Sequence, residues 1–179
     1  KNLYVYKEEY MYPARRVLNH FNANMREFID QQRKQGNKYG FVNFITSNNG
    51  FTLADLFMYN DRHNEANGED NLDGNSWNFS NNYGVEGPTR KHYINKLRKL
   101  KWRNSMAMLF LAQGVPLVWS GDEIGNSQQG NNNAYCQDNP VGWVNWKNEK
   151  THRREIRFLE QLAQFRREHL GFVFQDFNL

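Results

Sequence analysis

Residues 39–46 read YGFVNFIT, and the turn sequence SNNG follows at residues 47–50. The run is apolar at nearly every position and rich in β-branched and aromatic side chains, which favour strands. A strand of this composition is typically buried on both faces, as in parallel sheets that helices cover. The stretch therefore predicts an α/β fold.

A second apolar run at residues 115–119 predicts another buried strand, whose Pro116 is tolerated because it lies at the start of the strand. Helical periodicity predicts three helices, at residues 13–36, 90–113 and 151–169. The side chains predicted to face inward are Phe21, Met25, Phe28 and Ile29, then Tyr93, Leu97, Leu100, Asn104, Ala107 and Leu111, then Ile156, Leu159, Leu162 and Ala163.

Shorter segments complete the predicted organisation. Residues 1–12 are too irregular to assign, and residues 172–179 are compatible with the start of a further strand. Thr52, with Asp55 three residues later, resembles a capping box for a short helix. We expect one domain across the whole chain, because its length of 179 residues is typical of a single domain.

The predicted order of helices and strands brings two loops together. Parallel strands joined by right-handed crossovers place their carboxyl ends on one face of the sheet. Residues 47–50 and 120–123, which follow the two predicted strands, must then share that face. In a (β/α)8 barrel this is the face that carries the chemistry.

Two long loops near this face are rich in asparagine and glycine. Residues 61–88 show no periodicity, and residues 121–139 read GDEIGNSQQGNNNAYCQDN. Asn and Gln each carry donors and an acceptor, so they bind sugar hydroxyls without the free-energy cost of burying a charge. The loops therefore suit a polar, uncharged ligand, and a solvated surface loop is the alternative.

Composition limits the possible classes of protein. The net charge of +4 is too small to imply nucleic acid by itself. The single Cys136 excludes an internal disulfide and fits a reducing compartment, so we expect a cytoplasmic protein. No apolar run approaches the roughly 18 residues of a membrane span, and no signal peptide is visible. The chain begins at Lys1, which is compatible with a piece of a longer protein.

Three segments resemble the bacterial glycogen debranching enzymes and isoamylases of the α-amylase superfamily, glycoside hydrolase family 13. They are VNFITSNNGFTL at residues 42–53, HNEANGEDNLDG at residues 63–74 and QGVPLVWSGDEIGNSQQGNNNAYCQDN at residues 113–139. The resemblance implies a partial (β/α)8 TIM-type barrel, comprising strands seven and eight with their flanking helices. A whole barrel takes roughly 250 residues, so the chain would supply about a third of one.

The resemblance also implies a reaction, the hydrolysis of α-1,6 branch linkages in glycogen or a related α-glucan, with no cofactor. The family uses an aspartate nucleophile and a glutamate acid/base, and neither has a counterpart in this sequence. Its third carboxylate lies in a pattern similar to TAHDGFTL, whereas residues 46–53 read TSNNGFTL. Asn48 therefore stands at the histidine position and Asn49 at the position of the transition-state-stabilising aspartate.

A neutral amide at position 49 offers only a dipole to a developing cation. Losing one such preorganised partner typically lowers the rate about 10²- to 10³-fold. We therefore expect this chain alone to be inactive, with Asn49 marking the catalytic position. A further hypothesis is that deamidation of Asn49, which precedes Gly50, installs an acidic side chain at this position.

Further residues are candidates for substrate contact. Asp122 and Glu123 either organise the floor of a sugar site or form a structural salt bridge, and His63 either contacts substrate or holds its loop. The full set of predicted substrate-binding residues is Asn48, His63, Asp122, Glu123, Asn131, Asn132, Asn133, Tyr135 and Asp138.

No metal is predicted, although residues 69–74 match the first half of a calcium loop. Glu69, Asn71 and Asp73 lie at alternate positions, and Gly74 follows. The twelfth position is Ser80, where such a loop needs a bidentate glutamate.

Several functional hypotheses remain open. The chain is a degenerate member that still binds glucan, one piece of an active enzyme whose missing half supplies the catalytic carboxylates, or a non-catalytic module that pairs with itself to hide strand edges. A nucleic-acid-binding module is the rival class, because residues 90–103 carry seven Lys or Arg and no acid. These basic residues are expected on the solvated outer side of their helix, so no nucleic acid and no membrane partner is predicted.

Overall fold

The computed structural model describes residues 3–36 and 38–170. A strand, two helices and a second strand come first, and after a long loop the chain continues with a helix, a third strand and a last helix. Short 3-10 helices lie in the loops. In chain order the elements are β1 (Tyr4–Lys7), α1 (Glu8–Asn19), α2 (Met25–Arg33), β2 (Gly40–Asn43), α3 (His92–Leu111), β3 (Val115–Pro116) and α4 (Arg153–Phe165), which continues as a π-helix (Arg166–Leu170). The 3-10 helices are Asp55–Phe57, Glu65–Asn67, Asp122–Ile124, Ala134–Cys136 and Trp146–Lys150.

The three strands form one parallel sheet in the order β1-β2-β3. Tyr4 lies opposite Gly40, and Val42 lies opposite Val115. The predicted parallel α/β arrangement is confirmed for β2 and β3, although β3 is shorter than the predicted strand. β1 falls in the segment that the sequence left unassigned, and the strand predicted at residues 172–179 lies outside the described residues.

The single helix predicted at residues 13–36 is wrong, because the chain makes two helices there. α1 begins at Glu8 and ends where His20 adopts a left-handed conformation, with φ of 63°. Asn24 then caps α2, because its side chain accepts a hydrogen bond from the backbone N–H of Glu27 at 3.1 Å. This break turns the predicted apolar stripe away from the core, and of its four members only Phe28 is buried.

The core lies between α1, α3 and the segment that follows β2. Its central residues come from the segment at 51–59 and from the buried side of α3. Buried side chains that pack together there include Phe51, Leu53, Leu56, Phe57, Trp102, Met106 and Leu109. The carboxyl-terminal extension of β2 is thus part of the core, which holds the loop that follows it in place.

The buried side of α3 differs from the predicted one. Tyr93, Leu100 and Leu111 are exposed, whereas Arg98 and Lys101 are buried. The basic run is therefore not a wholly solvated face. Long cationic side chains are tolerated inside because each donates to backbone carbonyls that would otherwise lack partners.

Two cations on or near α3 satisfy the carboxyl ends of helices. Lys101 donates from Nζ to the carbonyl of Leu18 at 2.5 Å, in the last turn of α1. Arg166 donates to the carbonyls of Phe110 and Ala112, at 2.6 and 2.8 Å, where α3 ends. Cations at these positions complement the free carbonyls and the helix dipole.

The inward side of α4 agrees in part with the predicted one. Ile156, Leu159 and Leu162 are half-buried, whereas Ala163, which was also predicted to face inward, is exposed.

Arg98 fixes the end of the long loop at residues 61–88 onto α3. Its guanidinium donates to the carbonyls of Gly87 and Asn82 at 2.8 Å and of Val85 at 2.5 Å. We predict that Arg98→Lys lowers the free energy of unfolding by roughly 1–3 kcal/mol, because a single ammonium cannot reach three divergent carbonyls. Urea denaturation followed by circular dichroism measures this change.

The matched control is Arg103→Lys, because Arg103 is an exposed arginine of the same helix. It should change the free energy of unfolding by less than about 0.5 kcal/mol. Equal effects of the two substitutions would contradict the role assigned to Arg98.

Candidate functional site

Asp122 joins the loops that follow β2 and β3. Its carboxylate accepts hydrogen bonds from the hydroxyl of Thr46 and from the backbone N–H of Leu53, the latter at 2.8 Å. The side chain of Trp102 donates to the Asp122 carbonyl at 2.8 Å. The two loops therefore meet at the carboxyl edge of the sheet, as their positions after parallel strands predict.

Asp122 is only 2% exposed, so its role is internal and the predicted contact with substrate is wrong for this side chain. Burial raises its pKa to about 7, against the hydrogen bonds from Thr46 and Leu53, and the neighbouring charges of Glu123 and Asp55 raise it further. The predicted salt bridge is also absent among the described residues, since Glu123 instead accepts a hydrogen bond from the N–H of Gly121 at 2.9 Å.

A second buried carboxylate, Asp55, ties the segment after β2 to the later loop. It accepts hydrogen bonds from the hydroxyl of Ser127 at 2.5 Å and the N–H of Gln128 at 2.7 Å. Its own N–H donates to Thr52 Oγ1 at 3.2 Å, which is one half of the predicted capping box. Burial raises the pKa of Asp55 to about 6. Capping was predicted for this residue, but its contact with Ser127 and Gln128 had no signal in the sequence.

Asn132 is fully buried and uses every polar group of its side chain on the protein. Its Nδ2 donates to the Asn75 carbonyl at 2.7 Å and to Asn78 Oδ1 at 3.0 Å, and its Oδ1 accepts from Asn64 Nδ2 at 2.9 Å. Its backbone carbonyl accepts from the N–H of Gly50 at 3.0 Å. Asn132 therefore connects the two asparagine-rich loops to the tip after β2.

The neighbouring asparagines continue this pairing. Asn131 donates to Asn67 Oδ1 at 2.8 Å, and Gln137 donates to the same oxygen at 2.8 Å. Asn67 and Asn133 both donate to Asp73 Oδ2, at 2.7 and 2.8 Å. We call this set the amide network, and its members are Asn64, Asn67, Asp73, Asn75, Asn78, Asn131, Asn132, Asn133 and Gln137.

The amide network corrects the predicted ligand contacts of Asn131 and Asn132. Both are buried and bonded to protein groups, so neither side chain is available to an outside ligand. The physical reason is that a primary amide satisfies another primary amide as well as it satisfies a sugar hydroxyl. Gly74 completes the fit, because its φ is +77° and a Cβ there would collide with the amides of Asn132 and Asn64.

The polar side chains of residues 69–74, which match the first half of a calcium loop, also bond to protein groups. Asn71 Oδ1 accepts from the N–H of Asn64 at 2.8 Å, and Asp73 holds the amide network. Glu69 accepts from the hydroxyl of Tyr135. In the part of the chain that the structure describes, no three His, Cys, Asp or Glu side chains converge in a way that would hold a metal ion.

The remaining candidates lie at the surface. Asn48 and Asn49 are exposed at the tip after β2, where the Asn49 N–H donates to Ser47 Oγ at 3.3 Å. Asp138 is exposed and accepts from Trp143 Nε1 at 2.9 Å. Tyr135 is also exposed, and Asn133 and Glu123 are half-buried. These residues stay predicted substrate contacts.

His63 is partly exposed and has two protein partners. Its Nε2 lies 3.3 Å from Glu86 Oε1, and its ring meets the ring of Tyr59 edge-on at 5.3 Å. The loop-holding alternative is therefore realised, and a further contact with substrate stays a prediction.

Arg15 supports the tip from below and was missed by sequence reasoning. It is fully buried, donates from Nε to the Ile45 carbonyl at 2.8 Å, and lies beneath Gly50. Burial lowers its pKa to about 10. An arginine in an amphipathic helix normally indicates a solvated face, so the sequence carried no signal for this position.

No family model matches the chain. It is 47% identical over 131 residues to the glycogen operon protein GlgX homolog of Mycobacterium tuberculosis H37Rv, covering 73% of this chain and 18% of the relative. It is 45% identical over 136 residues to a glycogen debranching enzyme of Pectobacterium atrosepticum, covering 76% of this chain and 20% of the relative.

Two other proteins extend these similarities. Isoamylase 1, chloroplastic, of Arabidopsis thaliana is 44% identical over 137 residues, covering 76% of this chain and 18% of the relative. The solved structure of pullulanase from Bacillus acidopullulyticus aligns with a TM-score of 0.55 and 16% identity, covering 92% of this chain and 18% of that chain, which shows a shared fold. The chain thus spans about a fifth of the length of the curated relatives it matches.

Substitution of Asn132 tests the amide network. We predict that Asn132→Asp lowers the free energy of unfolding by about 2–4 kcal/mol, because a near-isosteric carboxylate loses both donors and faces the acceptors of Asn75 and Asn78. Urea denaturation gives the value. Asn48→Asp is the matched control at an exposed asparagine and should change stability by less than about 0.5 kcal/mol.

Substitution of Asp122 tests the buried carboxylate. Its folded pKa lies above the unfolded value of about 3.9, so its stabilising contribution is full below about pH 4 and is lost as the pH rises through about 7. Asn at this position can accept from Leu53 and donate to Thr46. We therefore predict that Asp122→Asn reduces the loss of unfolding free energy between about pH 4 and 7 by roughly 1–3 kcal/mol relative to the wild type.

Denaturation at a series of pH values measures this effect. Asn104→Ala, a substitution of an exposed and non-titratable residue, should leave the pH profile of the wild type unchanged. A wild-type slope retained in Asp122→Asn would mean that another group causes the pH dependence.

Proposed function

This chain is of the glycogen debranching and isoamylase type of the α-amylase superfamily, and on that premise we propose that it is the part of a debranching glycoside hydrolase that holds one edge of an α-glucan site. In this proposal β2 is barrel strand seven and β3 is strand eight. The activity of the parent protein would be hydrolysis of α-1,6 branch linkages. The parallel order of β2 and β3 and the similarity to a pullulanase fold support the assignment.

The observation that carries the proposal is the meeting of the two loops at the carboxyl edge of the sheet. Asp122 and Asn132 bond to groups on both sides of the junction and leave Asn48 and Asn49 exposed at the tip. The buried residues provide rigidity, while the side-chain amides of Asn48 and Asn49 are exposed at the tip. A glucan would meet Asn48, Asn49, Asn133, Tyr135 and Asp138 there, with His63 and Glu123 at the margin.

We further propose that this chain alone binds glucan without hydrolysing it. The sequence offers no counterpart of the family's nucleophile or acid/base, and Asn49 cannot neutralise a developing positive charge. The exposed side chain of Asn49 still supplies a donor and an acceptor for a sugar hydroxyl. Catalysis would then require carboxylates from another polypeptide segment.

A second candidate function, association with another polypeptide, has its own support in the sheet. A groove of about 620 Å³ runs along one face, lined by Tyr4, Tyr6, Val42, Val115, Pro116 and Arg166. In the described residues β1 and β3 each pair on one side only, and Tyr6 on β1 is largely exposed. Unpaired edges beside an apolar face favour pairing with further strands, supplied by the rest of a barrel or by a second copy.

Other partners receive less support. Arg98 and Lys101, two of the seven cations that favoured nucleic acid, are buried against carbonyls and cannot bind phosphate. Within the described residues, no helix is long and apolar enough to span a bilayer. The cytoplasmic location stays a prediction.

Binding of a linear α-glucan tests the proposal. We predict that isothermal titration with maltoheptaose detects binding, and that Asn48→Ala and Asn49→Ala each weaken it about 3- to 10-fold, the equivalent of one hydrogen bond. Asn104→Ala, an exposed asparagine of α3, should leave the affinity unchanged. A reducing-end assay with the wild-type chain should show no hydrolysis.

Two results would contradict the proposal in different parts. Absence of binding by the wild-type chain would remove the glucan site. Release of reducing ends by the purified chain would retain the site but overturn the proposed inactivity.

A further inference from the structure

Trp77 is the most exposed tryptophan of the described residues, at 69% exposure. An exposed indole forfeits the roughly 1.5–3 kcal/mol that burial of a large apolar side chain contributes. Two other tryptophans are also exposed, Trp143 at 55% and Trp146 at 63%. Exposure alone therefore does not distinguish Trp77 from the other two tryptophans, whereas the contacts of its ring do.

Trp77 rests on a second aromatic ring. Its indole is stacked on Phe79, with ring centroids 6.3 Å apart and an interplanar angle of 28°. Among the described residues no such ring stack supports Trp143 or Trp146, and Trp143 instead donates its Nε1–H to Asp138. Trp77 thus has an aromatic neighbour on one side, while most of its side chain is exposed to solvent.

The supporting ring is itself held on several sides. Tyr12 and Phe21 meet Phe79 edge-on at 5.8 and 6.1 Å, and the guanidinium of Arg16 lies 4.6 Å from the ring centroid. Asn19 donates to the Phe79 carbonyl at 2.7 Å. Phe79 has a φ of +50°, a conformation that is unfavourable for a bulky residue and persists only where the surroundings impose it. The platform is therefore rigid.

The platform is continuous with the proposed glucan edge through the amide network. The N–H of Trp77 donates to Asn75 Oδ1 at 2.8 Å, and the carbonyl of the same Asn75 accepts from Asn132. Asn132 in turn accepts from Gly50, beside Asn49 at the tip. Arg15 lies between the two regions, because it donates to the carbonyls of both Ile45 and Asn78.

We propose that Trp77 is the stacking platform of an α-glucan subsite that extends the Asn48–Asn49 edge. The CH-bearing face of a pyranose ring packs on an aromatic face, while its hydroxyls bond to surrounding polar groups. A rigid indole loses little entropy when the sugar packs on it. This inference rests on the proposed function and names a further binding residue of the same site.

Titration with maltoheptaose tests the subsite. Trp77→Ala is expected to weaken binding at least 10-fold, whereas Trp77→Tyr, which retains an aromatic face, should remain within about 3-fold of the wild type. Trp146→Ala is the matched control at an exposed tryptophan and should bind like the wild type. Wild-type affinity in Trp77→Ala, together with weakened binding in Asn48→Ala, would overturn the subsite and leave the proposed function standing.

A measurement on the wild-type chain avoids any effect of substitution on folding. Oxidation of exposed tryptophans by N-bromosuccinimide, followed by peptide mass spectrometry, reports each indole separately. Maltoheptaose should protect Trp77 and leave the oxidation of Trp146 unchanged. Equal oxidation of Trp77 with and without the glucan would overturn the subsite, and absence of glucan binding by every variant and the wild type would overturn the proposed function with it.

Discussion

The pairing of side-chain amides between residues 61–80 and 126–139 is the constraint on which the rest of the loop edge depends. These long segments have little regular structure, so their polar groups must find partners in each other. Asn132 does this most completely, since it is buried and bonded to Asn64, Asn75 and Asn78. In this way two loops that lack an apolar core of their own acquire a fixed shape.

Buried charges add to this rigidity in a different way. Asp122, Asp55 and Arg15 are buried beneath the edge, and none of them has an ion-pair partner within the described residues. Each is instead bonded to backbone groups or hydroxyls on neighbouring segments. A buried charge without its hydrogen-bond partners is strongly destabilising, so these groups make the junction of the loops specific. The fixed junction of the loops holds the tip in one conformation, in which Asn48 and Asn49 are exposed.

The functional proposal follows from this division between interior and surface. The ionisable groups of the junction are buried and structural, and the groups at the exposed tip are neutral amides. In the proposed function this edge binds hydroxyls, and at position 49 it offers a neutral amide and not a carboxylate that could stabilise a cation. Within the described residues, β2 is the central strand and β1 and β3 lie at the two sides of the sheet, where further strands of a barrel are proposed to join the chain.

The sequence by itself determined the class of fold and the position of the loop edge. The apolar run at residues 39–46 required a buried parallel strand, and right-handed crossovers then placed the loops after β2 and β3 together. Sequence motifs also determined the relationship to debranching enzymes. These inferences succeeded because they depend on local composition and on chain topology.

Only the tertiary structure decided which of the polar side chains are buried and which are exposed. Asn131, Asn132 and Asp122 have the same chemistry as exposed ligand-binding residues, but contacts distant in the sequence bury them. Arg98 and Lys101 were expected in solvent, but both are buried and donate to carbonyls from other segments. Arg15, which no sequence pattern singled out, is buried in the same way. The residue type determines which groups a side chain can bond to, whereas the tertiary structure determines whether another protein group lies close enough to be that partner.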